Sequence, residues 1–533
     1  MSAAGWGAPQ NPAQAGESIY LRGILASGSP LEATRNSGNP TLGIEAACVK
    51  CHRRSGLGMK EGPVLIPPIT GQYLFHSLHA KADEPELPYV ENTRNNRNGY
   101  TDATLARAIR EGVDSDGRNL GFLMPRYALG DADMAALIAY LRSLDRRVIP
   151  GVSAQVLHFA TIITPDADPV KRGAMLDVMQ HYFADKNTFP FAPSPRMRSS
   201  GHTLYSKSMY MAQRRWQLHI WELTGPASTW FKQLQRHFAE EPVMAEVSGL
   251  GGSNWAPVHE FCERTHLPCL FPNIEVPVVA DQEFYTLYFS RGVLLEADLI
   301  ADALRDSAAG HPGTSVLQIY RSGDSGEAAA RALTSAVTPR GIAVRSHALP
   351  AGASGARLAE ALRGAAAADT LVLWLRPADI AALGEPPASG SVYVSGLMGG
   401  QEHTPLPASW RVRTRIAYPY DLPDRSRVRV DFPLQWFSIR HIPIVDEHVQ
   451  LDTYLACGVL AESVGHMADV FVPEYIVERA EQMLEHRVMT GPYPRLSLAE
   501  GGERFASKGG YIVRFADAEG TQMTADRDWT VPN

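Results

Sequence analysis

Cys48-Val49-Lys50-Cys51-His52 is the most constraining run in the chain. Two thiols at this spacing can each add to one vinyl group of a single haem, and the histidine that follows can reach the iron from one face. Given the number of cysteines and histidines present, such a motif arises by chance only about 0.0015 times in a chain of this length. The competing reading is a redox Cys-x-x-Cys that happens to precede a histidine. The motif predicts one covalently attached haem c, held by Cys48 and Cys51, with His52 as an axial ligand of its iron.

The flanks show what must fold around that group. Gly16–Gly28 reads as a short helix with Ile19 and Tyr20 on one face. Gly56–Gly71 carries Pro63, Pro67 and Pro68 and cannot be a regular helix, so a loop is expected there. Thr101–Gly112 is helical, with Leu105 and Ile109 one turn apart and Gly112 as the stop. Asp131–Leu144 sets Met134, Leu137, Ile138, Leu141 and Leu144 on one apolar stripe. Between these last two helices stands Met124-Pro125.

An N-terminal helix, Cys-x-x-Cys-His, a proline-rich loop, a helix, a Met-Pro loop and a closing helix make an order that resembles class I cytochrome c. The resemblance covers residues 14–147 and implies an all-α domain in which Met124 is the sixth iron ligand. Met59 is a rival, but it lies only a short span past His52. His76 and His79 are further rivals, and both read more simply as surface histidines. Haem is attached to such proteins outside the bacterial cytoplasm, so the resemblance also implies a periplasmic location. Met1–Gln14 has neither the basic nor the apolar region of a signal peptide. A leader is therefore expected to have been removed, with Met1 added in its place.

Asp145–Gln155 carries charge, Pro150 and Gly151 after a finished helix and reads as an interdomain linker, set at residues 148–155. Apolar strands then alternate with helices. Val156–Ile163, Pro242–Gly249, Thr314–Tyr320, Thr370–Leu375 and Val392–Ser395 read as strands. Val170–Phe183, Ala256–Arg264, Glu327–Val337 and Pro377–Leu383 read as helices. Such alternation argues for parallel sheets covered on both faces. The run 245–277, AEVSGLGGSNWAPVHEFCERTHLPCLFPNIEVP, resembles the branched-chain amino-acid type of periplasmic solute-binding protein, the type I periplasmic-binding fold. Thr314–Val344 repeats the opening of that family's second lobe. Gly491–Leu498 and Arg504–Tyr511 resemble a subgroup linked to quinoprotein, PQQ-dependent, alcohol oxidation.

The expected whole is multi-domain, an all-α cytochrome c domain followed by a two-lobed α/β fold over residues 156–515, with a C-terminal tail at 516–533. In that fold ligands sit at the carboxyl ends of the strands, where helix N-termini offer free N–H groups. The resemblance puts Ser253 and Asn254 in contact with a ligand, Trp255 on the cleft wall, and Asp324 and Ser325 on the facing lobe. The alternative is that these residues only turn the chain and cap helices. The basic, proline-rich stretch Thr188–Arg215 departs from the family pattern and, with Trp216, Trp221 and Trp230, could instead present a docking surface. Cys262 and Cys269 are candidates for a disulfide, which would leave Cys457 unpaired and buried.

Composition sets the remaining limits. A net charge of −7 without a basic tract makes nucleic acid a poor partner. No uninterrupted apolar run is long enough to span a membrane. The hydrolase, P-loop, zinc-protease and EF-hand signatures are missing, so the chain reads more readily as an electron carrier than as an enzyme. Its second module would dock a redox partner, a quinoprotein alcohol dehydrogenase among the candidates, or bind a small organic ligand. The alternative is a periplasmic receptor of an ABC-type uptake system carrying an accessory haem. An enzyme using the haem as its electron outlet is a third reading.

Overall fold

The computed structural model describes residues 12–35, 38, 40–61, 64–77, 97–144, 147–188, 214–280, 283–308, 315–364, 369–386, 390–399, 406–467, 471–486, 489–498, 504–517 and 522–532. Most of the basic stretch, including Arg198, lies outside them, as does His79. The chain forms two compact units. The first comprises residues 1–157, 189–215 and 461–479, the second residues 158–188, 216–460 and 480–533.

In the first unit the helices Pro12–Arg22 and Asp131–Ser143 cross at close range. Gly16 permits this, because a Cβ there would fall 2.2 Å from the carbonyl oxygen of Ala136. Tyr20 and Tyr140 pack beside the crossing with ring centroids 5.2 Å apart. The helix Asp102–Glu111 is bounded as its sequence demands. Thr101 and Thr104 form a reciprocal capping box, and Gly112 ends the helix in the left-handed region at φ 73°. Ile19, Leu105, Ile109, Leu137 and Leu141 join in one core. The domain is not purely helical. Short strands Glu32–Thr34, Pro40–Leu42 and Arg126–Tyr127 form a small antiparallel sheet, and the proline-rich loop contains the hairpin Met59–Glu61 with Val64–Ile66.

The second unit has two lobes, each built on a seven-stranded sheet. In the first sheet Asn273–Ile274, Leu250–Gly251, Val156–Ile163, Ala245–Val247, Cys269–Leu270 and Thr286–Leu287 lie side by side and parallel, and Arg215–Glu222 pairs beside Val156–Ile163. In the second, Ala343–Leu349, Ser315–Arg321, Asp369–Trp374, Val392–Ser395 and Thr414–Tyr418 run parallel. Tyr511–Phe515 and Met523–Ala525 close that sheet antiparallel. Within the stretch 516–533, expected as a C-terminal tail, Met523–Ala525 supplies the edge strand. The chain leaves the first lobe after Leu287 and returns after Tyr418. It enters the second lobe again at Tyr511.

Helices Pro423–Ile439 and Glu447–Met467 cover the first lobe, where Val430, Phe437 and Leu451 pack on Val178. Trp216, Trp221 and Trp230 are all buried, so they pack the lobe. Cys262 and Cys269 form a disulfide that ties the helix Ala256–Thr265 to the neighbouring strand. Cys457 is a buried thiol.

Candidate functional site

Cys48 precedes the single turn Val49–His52 as its N-cap, and Cys51 lies within it. Neither is in a disulfide and both are partly exposed. Burial of its sulfur pushes the Cys48 thiol up to about 12. A redox Cys-x-x-Cys works through a thiolate stabilised near neutral pH, and burial disfavours that thiolate at Cys48. His52 is buried, and its Nδ1 lies 3.0 Å from the carbonyl oxygen of Pro67. A carbonyl can only accept, so Nδ1 carries the proton and Nε2 keeps its lone pair. Burial pulls the imidazole down to about 4, the Pro67 carbonyl opposing only in part, so the ring is neutral at pH 7. A neutral, oriented imidazole beside two thiols that are in no disulfide is the donor set that haem c requires.

The loop around this turn is closely fitted. Gly56 and Gly58 have φ of 71° and 76°, and a Cβ on Gly58 would fall 2.0 Å from the carbonyl oxygen of Ile66. Arg53 has φ 62° although it is not glycine, and its carbonyl accepts from the Tyr20 hydroxyl at 2.6 Å. Ser55 donates its amide (3.0 Å) and hydroxyl (2.6 Å) to Glu478, which the first unit takes in with residues 461–479. No sequence signal marked Glu478. Met124 packs, partly buried, on the same core as Cys48. Its amide donates to Gly121 and its carbonyl accepts from Arg126, so its backbone is pinned from both sides. Met59 sits in the hairpin opposite Ile66, and His76 is exposed.

The expected cleft residues divide into separate groups. Ser253 donates its amide to Asp166 at 3.0 Å, and Asn254 accepts from the amide of Ala256 at 3.1 Å, which caps the helix Ala256–Thr265. Trp255 is not a cleft wall. It is 1% exposed and packs in the core with Val258 and Phe261, because the glycines at 249 and 251 leave the space its ring fills. On the other lobe, Asp324 caps the helix Ser325–Val337 and binds Arg376 at 2.5 and 2.9 Å. The Ser325 hydroxyl donates to Glu275 at 2.6 Å. Glu275 also takes two bonds of 2.6 Å from Arg376. Burial works against charge on Asp324, yet Arg376 holds its carboxyl below the usual range. Among the described residues no hydrogen bond joins Ser253 or Asn254 to Asp324 or Ser325.

Two other features at the carboxyl ends of the first sheet had no sequence signal. Ser248 and Phe271, which directly follow the strands Ala245–Val247 and Cys269–Leu270, have φ of 54° and 56°. Left-handed non-glycine residues cost of order 1–3 kcal/mol and gather at functional sites. Ser248 is held by Thr453 and Asn273, each at 2.9 Å. Nearby in the chain, Asp452 is buried. One of its oxygens accepts from Tyr493 at 3.0 Å and the other has no partner, and burial pushes the carboxyl up to about 7.

Residues 41–145 match the family model described as Cytochrome c. The stretch the match covers is a cytochrome c domain. The rest of the chain is similar in fold to solved solute-binding proteins. A fatty acid ABC transporter substrate-binding protein from Thermomonospora curvata aligns over 72% of this chain and 95% of its own, at 14% identity and a TM-score of 0.52. A branched chain amino acid ABC transporter from Thermus thermophilus with bound valine aligns over 71% and 97%, at 10% identity and 0.50. A substrate-binding periplasmic protein from Ralstonia solanacearum aligns over 69% and 100%, at 11% identity and 0.50. These likenesses establish a type I periplasmic-binding fold after the cytochrome c domain. No curated protein sequence matches the chain. No described helix is long and apolar enough to cross a membrane.

Proposed function

We propose that the chain is a periplasmic electron-transfer protein in which one haem c is attached through Cys48 and Cys51, with His52 and Met124 as axial ligands. The observation that carries this reading is the His52 ring, neutral and buried, with Nδ1 committed to Pro67 and Nε2 left for iron. When bound, haem c supplies a one-electron couple at its iron. The chain's own work is to hold the His52 tautomer, to keep water from the imidazole and to present a thioether from the pinned Met124 loop. Phe122 and Leu123, just before Met124, are exposed apolar side chains and suit contact with a redox protein.

Replacing Met124 with Ala is expected to abolish the weak ferric band near the red end of the spectrum and to lower the potential, since thioether ligation favours ferrous iron. Met59→Ala should leave both unchanged. The reverse pattern would transfer the sixth-ligand role to Met59.

For the second module, the reading is a docking element for the dehydrogenase that reduces the haem. A quinoprotein alcohol dehydrogenase is the first partner to test. Four of the five Arg376 N–H donors go to Glu275 and Asp324, which leaves the expected second-lobe contacts occupied by the protein itself. The second reading is a solute receptor, favoured by the strained Ser248 and the half-partnered Asp452. Visible spectra of the oxidised holoprotein separate the two. Rapid reduction only when dehydrogenase and alcohol are both added supports docking. A rise in melting temperature with an amino or fatty acid alone, and no reduction by the dehydrogenase pair, would replace docking with solute binding. Reduction by an alcohol alone would make the chain an enzyme.

A further inference from the structure

The first lobe contains a group of side chains unrelated to the haem. His259 and Glu263 are one turn apart on the helix Ala256–Thr265, and so share a face. Glu283 reaches the same point from the segment that enters the strand Thr286–Leu287. One ligand atom from each of the three lies within 4.8 Å of the others. We propose that His259, Glu263 and Glu283 form a binding site for a first-row divalent cation, with Zn²⁺ as its probe.

Two of the three prospective ligands, Glu263 and His259, are held by further bonds. Glu263 accepts the amides of Phe284 (3.0 Å), Tyr285 (2.8 Å) and Thr286 (2.8 Å). Three amides leave a carboxylate with lone-pair capacity to spare, here on the oxygen that takes only one of them. His259 is 4% exposed, and its Nδ1 lies 2.6 Å from the Tyr288 hydroxyl, which leaves Nε2 facing Glu283. A metal-binding histidine is oriented in this way, through its other nitrogen. Glu283 is 27% exposed at its side chain, so the site has an entrance and room for water as a further ligand.

Charge supplies the independent argument. Two carboxylates converge on one imidazole, and among the described residues neither forms an ion pair with Lys or Arg. The nearby Arg504 does not fill that role, because its bonds go to the main-chain carbonyl of Glu283 and to Glu481. A divalent cation would balance both acids. One nitrogen and two oxygens suit Zn²⁺ and its neighbours better than Ca²⁺ or Mg²⁺, which favour all-oxygen shells. Bound there, the ion would clip the helix to the next strand, beside the clip that Cys262–Cys269 already makes.

The test is equilibrium dialysis of the haem-loaded full chain, stripped with chelator, against ZnCl2, with CaCl2 in parallel and melting temperature as a second readout. Stoichiometric Zn²⁺ binding that raises the melting temperature is expected. Glu283→Gln should weaken it by tenfold or more. Tyr288→Phe, which removes only the orienting hydroxyl, should weaken it by about 10–100-fold. Both variants should melt close to the parent protein when zinc is absent, which separates loss of a ligand from loss of the fold. Absence of bound zinc, binding unchanged in Glu283→Gln, or saturation by Ca²⁺ instead would each overturn the assignment. The first outcome would mean that a proton between His259 and Glu283 closes the network by itself.

Discussion

Denaturing electrophoresis of the intact protein is expected to leave haem on the chain, and the double replacement of Cys48 and Cys51 by Ala is expected to release all of it. The argument is covalent. A thioether survives unfolding, whereas iron ligation by His52 and Met124 depends on the folded pocket. Each single replacement should keep haem attached through the remaining sulfur. The double variant should also lose electron transfer, because the Pro67-oriented imidazole alone cannot retain haem against dilution. The folded core should survive better than the cofactor, since Cys48 only borders the cluster built on Ile19, Leu105 and Leu137. Release of haem from the unmodified chain on denaturation would end the c-type assignment and return Cys48 and Cys51 to redox chemistry.

The haem site was legible because its signals are local. Cys-x-x-Cys-His lies within one turn, and Thr101 and Gly112 announce helix ends through capping and left-handed backbone. Strand–helix alternation likewise marked Val156–Ile163 and Val392–Ser395 to the residue. What escaped depends on partners distant in sequence. Glu275 and Arg376 are 101 positions apart, and neither carries a mark of the other. The helix Pro423–Ile439 was missed because Pro433 interrupts its pattern, whereas the apolar run Tyr454, Leu455, Val459 and Leu460 around Cys457 did mark a helix, found as Glu447–Met467. Trp255 misled because a Gly-Gly-Ser-Asn-Trp run looks the same whether the ring faces a ligand or a core. The depth of the sheet beneath it decided the outcome.

That buried sheet also holds the second large effect, a loss of stability as pH rises through neutrality. Glu246 lies in register with Ala160 and Cys269, on the face covered by Trp255, Val258 and Phe261. It is fully buried, and neither carboxyl oxygen receives a well-aligned hydrogen bond, the amides of Gly249 and Ile162 lying near it only in poor geometry. The amides of Gly249 and Ile162 favour its charge only weakly, so burial wins and pushes the carboxyl up to about 8. Glu296 reaches about 8 in the second lobe, again by burial, against bonds from Ser395 and the amide of Leu397. Asp452 reaches about 7 by burial, opposed by His448 and Tyr493. Each acid keeps its proton in the folded protein over a range where the unfolded chain has already lost it. These acids therefore hold more protons in the folded state between about pH 5 and 8, and their contribution to stability falls as pH rises across that window, against a smaller opposite contribution from the neutral His52 below about pH 6.5. One such group contributes up to about 1.4 kcal/mol per pH unit. Denaturant melts from pH 5 to 8 should show this decline. Glu246→Gln, which cannot ionise, should differ little from the parent at pH 5 and exceed it by on the order of 3 kcal/mol at pH 8. Glu296→Gln should behave alike in the other lobe. Parallel stability curves for Glu246→Gln and the parent protein would mean that Glu246 is ionised in the fold and has found a counter-charge.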